Sequence, residues 1–282
     1  MKSGRQAVKS GRRTAAVGAL AAALGLSVLN APEAMAADTD ITVSNIVVND
    51  GKPIVVGTSK AVRPSLRFDY ALPAGYSTAD PYRHDAFPFL YRGSIGAAAE
   101  SGENFIGPGT YTCYERDAKH ARCEGDLFID PHPTQDHVDS NSDATTWKVG
   151  VSLRLFKANG GLKAMERETR SLTSSLRRAA KLTADASPEP VAKGRPVTVT
   201  GKLTRANWST KKYDTYSGRT VSLQFRAKGA DTFRTVKKAT TGRTGGLKAT
   251  VTATVDGSYR WLYPGNSTTG ATTSAADQVD VR

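Results

Sequence analysis

Apolar and polar residues alternate strictly in short runs along most of this chain. In one run, Leu247, Ala249, Val251, Ala253 and Val255 alternate with lysine and threonine. Successive side chains of a β-strand point to opposite faces, so a period of two indicates a strand with one buried face. Segments rich in Gly, Pro and Asn separate the runs, as turns do. The chain is therefore predicted to be all-β.

The alternating runs fall into two groups, of which the second is the more regular. It holds about seven strands in about 100 residues, the size of an immunoglobulin-like β-sandwich. Asp256-Gly257-Ser258-Tyr259 resembles the corner that opens the sixth strand of such sandwiches. The predicted strands are residues 181–185, Pro196–Thr204, Val221–Arg226, Phe233–Val236, Leu247–Val255, Tyr259–Tyr263 and Val279–Val281.

The first group has long loops rich in Asp, Pro, Gly and His. Its predicted strands are Asp40–Val48, Pro53–Val56, Leu66–Tyr70, Phe87–Tyr91, Thr110–Tyr114, Cys123–Phe128 and Trp147–Leu155. Charge divides the chain in the same way, because residues 37–160 carry 12 basic and 16 acidic groups and residues 161–282 carry 22 and 9. We predict an N-terminal β-rich domain at 37–175 and a C-terminal immunoglobulin-like sandwich at 180–282. Residues 170–180 have the spacing of a short helix, but we favour a strand that links the domains.

The first 36 residues have the pattern of an export signal. Five basic residues lie between Lys2 and Arg13, and the uncharged, mostly Ala, Leu, Val and Gly segment from Ala15 to Val28 follows them. Ala34-Met35-Ala36 is a small-x-small cleavage motif, so cleavage is predicted between Ala36 and Ala37. The apolar segment is too short and too rich in Ala and Gly to span a membrane, which takes about 20 apolar residues. We therefore expect a secreted, extracellular protein without a membrane span, and Arg12-Arg13 leaves the export route open.

Cys113 and Cys123 are the only cysteines. They lie on two predicted strands that a polar loop connects, and an oxidising compartment favours their pairing. We predict a disulfide between them. A pair of reduced thiols and half of a metal site are the alternatives, although no second thiol pair could complete the metal site.

Three segments of the second group resemble secreted, uncharacterised actinobacterial proteins with bacterial immunoglobulin-like modules. The segments are Leu182–Thr204, Val221–Arg226 and Asp256–Trp261. The resemblance covers about residues 180–282 and concerns a fold more than an activity. It implies no catalytic residues, and the calcium-binding description of some relatives implies little without ligands in this chain.

An acidic loop in the first group raises the possibility of a calcium-stabilised module. Its oxygen-bearing residues are Asp136, Asp139, Asn141 and Asp143. Hard cations prefer such clusters, but Ala144 and Gly150 stand where an EF-hand loop has its Gly and its bidentate Glu. We favour a solvated acidic loop, so no metal ligand is predicted.

Catalytic and zinc motifs are equally incomplete. The four histidines, His84, His120, His132 and His137, lack zinc-site spacing. Gly93-Ser94-Ile95-Gly96 misses the nucleophile elbow by one position, and Ser209-Thr210-Lys211-Lys212 lacks the companions of an S-x-x-K site. We therefore expect no enzyme, no catalytic residues and no cofactor. The rival hypothesis is an extracellular hydrolase with its site on loops Asp80–Glu103 and Asp130–Asp143.

The basic character of the second group suggests a binding function. Lys211, Lys212, Lys228, Arg234, Lys237 and Lys238 are the candidate polyanion-binding residues. Trp208, Tyr213 and Tyr216 lie near some of them, and a basic sheet face with aromatics can hold an anionic polymer. Outside a cell this would be an envelope polymer or polysaccharide rather than nucleic acid. The alternative is a charged strand edge that prevents aggregation. The aromatic run Tyr259, Trp261 and Tyr263 is interpreted as core rather than as a sugar-stacking platform.

Overall fold

A computed structural model describes residues 38–96, 104–132 and 138–282 of the chain. The predicted cleavage site at Ala36 and Ala37 lies outside these residues, as do Asp136 and His137. Nineteen β-strands make up the described part, and two short 3-10 helices, Asn49–Gly51 and Asn141–Asp143, are its only helical elements. The all-β prediction is therefore confirmed.

Nine strands form the first sandwich: β1 Thr42–Val48, β2 Ile54–Val56, β3 Ser65–Ala71, β4 His84–Tyr91, β5 Phe105–Ile106, β6 Pro108–Glu115, β7 His120–Leu127, β8 Thr146–Phe156 and β9 Leu162–Arg178. One sheet has the order β1-β3-β7-β6, and the other has the order β2-β9-β8-β4-β5. Strand β2 pairs with β9 in parallel, whereas the other named pairs are antiparallel. Strand β1 therefore belongs to one sheet, and β2, which follows it in the chain, belongs to the other. The two sheets form a Greek-key arrangement of immunoglobulin type.

Ten strands form the second sandwich: β10 Ala180–Leu182, β11 Asp185–Ser187, β12 Pro196–Asn207, β13 Lys212–Thr215, β14 Thr220–Ala227, β15 Arg234–Thr240, β16 Gly246–Thr252, β17 Gly257–Tyr263, β18 Thr272–Thr273 and β19 Asp277–Val279. Strand β12 pairs with β10, β11, β13 and β16 in one sheet. The other sheet has the order β15-β14-β17, with β18 and β19 on the far side of β17. This strand order is again that of an immunoglobulin-like sandwich, so two such sandwiches follow each other in the chain.

Alternating apolar residues fill the space between the sheets of each sandwich. In the first, Trp147, Val149, Val151 and Leu153 on β8 are fully buried. In the second, Val197 and Val199 on β12 oppose Leu223 on β14 and Trp261 on β17. The predicted core role of Tyr259, Trp261 and Tyr263 is confirmed, because all three are buried in this second core. The division into domains at 175–180 stays a prediction, and Ala206 and Trp208 of β12 and its turn belong to the first core.

The strand boundaries differ from the alternating pattern in several places. The strand interpretation of residues 170–180 is confirmed as far as Arg178, where the long strand β9 ends. The predicted run through Val255 ends at Thr252. Ala253 still bonds to Arg195 next to β12, but Val255 lies beyond these contacts and is half exposed. Strands β5, β13 and β18 were not predicted, because their two to four residues do not alternate between apolar and polar.

The disulfide between Cys113 and Cys123 is present, which confirms that prediction. The two residues are directly opposite on β6 and β7. The bridge therefore staples one hairpin, and it does not join the two sheets as the immunoglobulin disulfide does.

Candidate functional site

The candidate site lies on three neighbouring strands of the second sandwich. Strand β14 pairs with β15 on one side and with β17 on the other. Together the three strands carry five basic residues and no acidic residue: Arg226, Arg234, Lys237, Lys238 and Arg260. Arg234 and Lys237 are opposite Phe225 and Leu223, which face the core, so these two cations lie on the inner side of the edge strand. We call the outward-facing Arg226, Lys238 and Arg260, together with Phe233, the basic face. No acidic residue of these three strands neutralises the cations, so the surface has a positive potential.

The alternation of β14 and β17 explains why the arginines point outward. Leu223 on β14 and Trp261 on β17 are buried between the sheets. Arg226 and Arg260 lie at odd spacings from these two positions, and each is half buried on the outer side. Strand β15 is an edge strand, and its first five residues, from Arg234 to Lys238, are all exposed.

Phe233 brings the two arginines together. The guanidinium carbon of Arg260 lies 3.8 Å from the centroid of the Phe233 ring, and that of Arg226 lies 4.7 Å from it. The Nε of Arg260 also donates to Gln224 Oε1 at 2.9 Å. Stacking on an aromatic ring and one hydrogen bond hold the guanidinium in place while leaving other N–H donors available. Neither arginine forms an ion pair within the part of the chain that the structure describes.

The candidate lysines of this region differ in their surroundings. Lys237 reaches around the sheet edge, and its Nζ donates to the backbone oxygen of Thr250 at 3.0 Å. Lys238 is opposite Ser222 on β14 and is exposed. Lys228 lies in the turn after β14, with its Nζ 3.6 Å from the carboxylate of Asp256. Lys228 is therefore a partly neutralised neighbour of the basic face.

A shallow cavity of about 380 Å³ adjoins the basic face at the end of β14. It is lined by Arg226, Lys228, Gly229, Asp231, Ser258 and Gln278 among others. Arg226 belongs to both features, so the cavity continues the face. Its hydroxyl, amide and backbone groups are the kind of polar groups that orient a polar ligand.

Lys211 and Lys212 lie at the opposite end of the second sandwich from Lys228. They follow the hairpin turn between β12 and β13, whereas Lys228 follows the far end of β14. The Nζ of Lys211 donates to the backbone oxygen of Val138 in the first sandwich at 2.9 Å. The six candidate residues therefore do not share one surface, and four of them, Lys228, Arg234, Lys237 and Lys238, lie on or beside the basic face.

The aromatic residues that the sequence placed beside the lysines are not a binding platform. Trp208 is fully buried, and its Nε1 donates to the backbone oxygens of Gly57 at 2.9 Å and Val56 at 3.3 Å. Tyr216 is also buried, and Tyr213 is half buried. Their role is structural: the turn after β12 inserts Trp208 into the core of the first sandwich.

The acidic loop contributes to the same contact between the sandwiches. Asn141 Oδ1 accepts from the backbone N–H of Trp208 at 3.0 Å, and Asn141 Nδ2 donates to Asn207 Oδ1 at 2.9 Å. Asp143 is buried and lies 2.7 Å from Arg92, and burial raises the pKa of its carboxyl despite that arginine. Of the calcium-candidate residues that the structure describes, Asn141 and Asp143 are thus engaged with protein groups.

Two polar residues of the rival hydrolase loops, His84 and Asp85, contact other protein groups, although the Nδ1 of His84 is buried without a hydrogen-bond partner. His84 is buried, and its Nε2 lies 3.0 Å from the hydroxyl of Tyr70, while burial lowers the pKa of its imidazole. Asp85 accepts from Tyr111 and forms an ion pair with Arg154. Among residues 38–96, 104–132 and 138–282, no three His, Cys, Asp or Glu side chains cluster as metal ligands would. Over the same ranges, no helix is long and apolar enough to cross a bilayer.

Sequence reasoning missed the pairing of Arg226 with Arg260 around Phe233. Arg260 is 34 positions from Arg226, and only the register of β14 against β17 makes them neighbours. The sequence did contain one indication of this pair. Both arginines occupy polar positions in alternating strands whose apolar positions form the core, so both side chains were expected on the outer face.

No family model matches the chain, and no curated protein matches its sequence. Among solved structures, the chain is similar to a marsupial T cell receptor, with 9% identity over 86% of this chain and 73% of that one and a TM-score of 0.34. It is also similar to the D0-D1 domain of intimin, with 12% identity over 84% and 98% of the two chains and a TM-score of 0.26. These scores are too low to support an argument, so the immunoglobulin-like assignment depends on strand order alone.

Proposed function

We propose that this protein is a non-enzymatic extracellular binding module that holds an anionic envelope polymer or polysaccharide on the basic face. The observation that carries the proposal is the absence of acidic residues from β14, β15 and β17, which carry five basic ones. A polymer with regularly spaced negative charges would contact several of these cations at once, and its affinity would fall as salt screens them.

The stacked arginines support recognition of carboxylate, sulfate or phosphate groups. A guanidinium presents a planar fork of N–H donors that matches such groups better than an ammonium does. Arg226 and Arg260 have their planes positioned by Phe233 before any ligand binds, so less side-chain entropy is lost on binding. Lys237 and Lys238 at the sheet edge would add less specific attraction.

The extracellular location is supported by two features. The first is the predicted export signal at residues 1–36, and the second is the disulfide, which persists mainly in oxidising compartments. Cell-surface polymers that carry phosphate or carboxylate groups are then the anions that the protein would meet.

The test is binding of the purified protein to immobilised polygalacturonate, with neutral dextran as the reference polymer. We expect binding to polygalacturonate at low salt, a steep loss of affinity at high salt, and no binding to dextran. The triple variant Arg226→Gln/Lys238→Gln/Arg260→Gln should bind about tenfold more weakly, because each exposed ion contact contributes about 0.5 kcal/mol.

A charge-matched control separates this face from general positive charge. Arg195, Lys202 and Lys248 are exposed on or beside the other sheet of the same sandwich. Arg195→Gln/Lys202→Gln/Lys248→Gln removes the same charge and should change affinity by less than about threefold if the basic face is the site. Equal losses in the two triple variants, or binding that is indifferent to salt, would refute the proposal and leave the charged strand edge as protection against aggregation.

A further inference from the structure

The last residue of β9, Arg178, is a buried arginine without a counter-charge in contact. Its relative exposure is 7%, and its Nε is buried without a hydrogen-bond partner. Its backbone is fixed by a hydrogen bond to Thr268 at 3.0 Å and one from Gly270 at 2.9 Å. The guanidinium forms no ion pair or hydrogen bond with any residue that the structure describes. A buried charge is ordinarily paired, because removing it from water is otherwise costly.

Arg205 is close enough to Arg178 for its charge to act on that group, and Arg219 contacts the same tyrosine ring as Arg205. The guanidinium carbons of Arg205 and Arg219 are 4.0 and 4.7 Å from the ring centroid of Tyr216. Both arginines are only half buried, so this end of the cluster is open to solvent. Arg205 donates to Thr269 Oγ1 at 3.4 Å, and Arg219 donates from Nε to the backbone oxygen of Ser217 at 3.2 Å. We call Arg178, Arg205 and Arg219 the arginine cluster.

The electrostatics of the cluster favour a negative charge. Burial, and after it the charge of Arg205, lowers the pKa of Arg178 to about 10. The pKa of Tyr216 is lowered although burial raises it, because hydrogen bonds, including those from Thr269 and Asn266, and the charge of Arg205 outweigh burial. The acid whose charge acts on Arg178 is Asp214, which is exposed and accepts a hydrogen bond from Asn207 at 2.6 Å.

We propose that the arginine cluster binds a small tetrahedral oxyanion of the phosphate or sulfate class. Guanidinium groups pair with such anions through forked hydrogen bonds, and the four oxygens of a tetrahedral anion can serve several forks at once, whereas a carboxylate offers two. Bound anion would also supply the missing partner of Arg178. The site shares no residue with the basic face, so it can exist whether or not that face binds a polymer.

Thermal unfolding of the purified protein tests the site, with phosphate, sulfate or acetate exchanged for chloride at constant ionic strength. For the wild type we expect a saturable rise of about 3 °C in Tm with phosphate and sulfate, the size given by a ligand at about ten times its Kd. Acetate should give no saturable rise. A general salting effect of sulfate, in contrast, increases without saturation and acts on every variant.

Two variants identify the residues. Arg205 is half exposed, so the variant Arg205→Gln should fold, and it should lose the saturable rise in Tm. Arg243 lies at an exposed turn, and the control variant Arg243→Gln should keep that rise. Arg178→Met retains side-chain length and removes the buried charge, so its Tm should equal or exceed that of the wild type in chloride and fall below it in saturating phosphate. The proposal would be overturned if Arg205→Gln showed the same saturable rise in Tm as the wild type, if the wild type showed no such rise, or if acetate raised the Tm as much as phosphate.

Discussion

Trp208 is the side chain through which the second sandwich packs into the core of the first. It is fully buried, and its indole N–H supplies a donor to the backbone oxygens of Val56 and Gly57. We expect Trp208→Ala to lower the free energy of unfolding by about 3–5 kcal/mol, since a large cavity forms. Urea unfolding followed by circular dichroism measures this loss.

Trp208→Phe is the matched variant, because it keeps an aromatic ring and removes the N–H. Its cost should be smaller, about 1–3 kcal/mol, which is the cost of leaving buried carbonyl groups without a donor. An alanine variant that unfolds within about 1 kcal/mol of the wild type would mean that Trp208 does not hold the sandwiches together.

Asp69 on β3 gives the first sandwich a pH-dependent contact. Its carboxylate accepts from Arg122 Nε at 3.0 Å and from Asn45 Nδ2 at 2.7 Å. The hydrogen bond from Arg122 is the largest reason why the pKa of Asp69 lies below its ordinary value of 3.8, and burial opposes it. A lowered pKa in the folded state means that the contribution to stability is present above the ordinary pKa and is lost as the pH falls through the folded pKa.

The variant Asp69→Asn should therefore be less stable than the wild type at neutral pH, and the difference should shrink as the pH falls below about 4. Urea unfolding at a series of pH values measures both stabilities. A difference that stays constant or grows on acidification would contradict this assignment. Arg67→Gln, which removes an exposed pair with Asp50, is the control for general charge effects.

The burial of some aromatic residues could be predicted from the sequence, and the burial of others could not. Tyr259, Trp261 and Tyr263 alternate within one long run, so their burial in the core was predictable. Trp208 follows the end of an alternating run, where the period no longer states which way a side chain points. Its burial depends on a contact with residues about 150 positions away, which a local pattern does not contain.

At the scale of elements, the hairpin of β6 and β7 depends on its disulfide. Strand β6 is at the edge of its sheet and is mostly exposed, so it buries little apolar surface of its own. The disulfide between Cys113 and Cys123 lowers the conformational entropy of the unfolded chain, and by the loop-entropy model this stabilises the folded state by about 3 kcal/mol. Cys113→Ala/Cys123→Ala should lower the free energy of unfolding by about that amount, as measured by urea unfolding.

Reduction of the wild type provides the control for this double variant. A reducing agent should bring the wild type to the stability of the variant and leave the variant unchanged. If the variant is as stable as the oxidised wild type, the hairpin is held by its cross-strand hydrogen bonds alone and the bridge is dispensable.

Elements with one buried face were predictable, and elements without one were not. Strands β8, β12 and β17 alternate over seven to twelve residues and were predicted in place. Strand β9 was predicted only in its second half, from Arg170 on, because the residues before it, from Met165 to Thr169, are half buried or exposed on both faces. Exposed strands carry no periodic signal, since neither face has to be apolar.

At the scale of the whole molecule, positive charge is concentrated in the second sandwich. Residues 179–282 carry 17 basic and 7 acidic groups, whereas residues 38–178 carry 17 and 18, because β9 adds five cations to the first sandwich. The sequence showed the basic excess of the C-terminal half, and its candidate cations were assigned to one surface. The fold separates the cations of this half into the basic face, the arginine cluster and the hairpin of Lys211 and Lys212, because strands distant in sequence are adjacent in the sheets.

Amide hydrogen exchange of the protein with and without saturating polygalacturonate at low salt locates the bound polymer on the fold. We predict added protection in β14, β15 and the turn at Lys228–Asp231, where the polymer would contact Arg226, Phe233 and Lys238. Protection confined to the β12–β13 hairpin or to the loops of the first sandwich, or no added protection while the polymer is bound, would contradict this prediction.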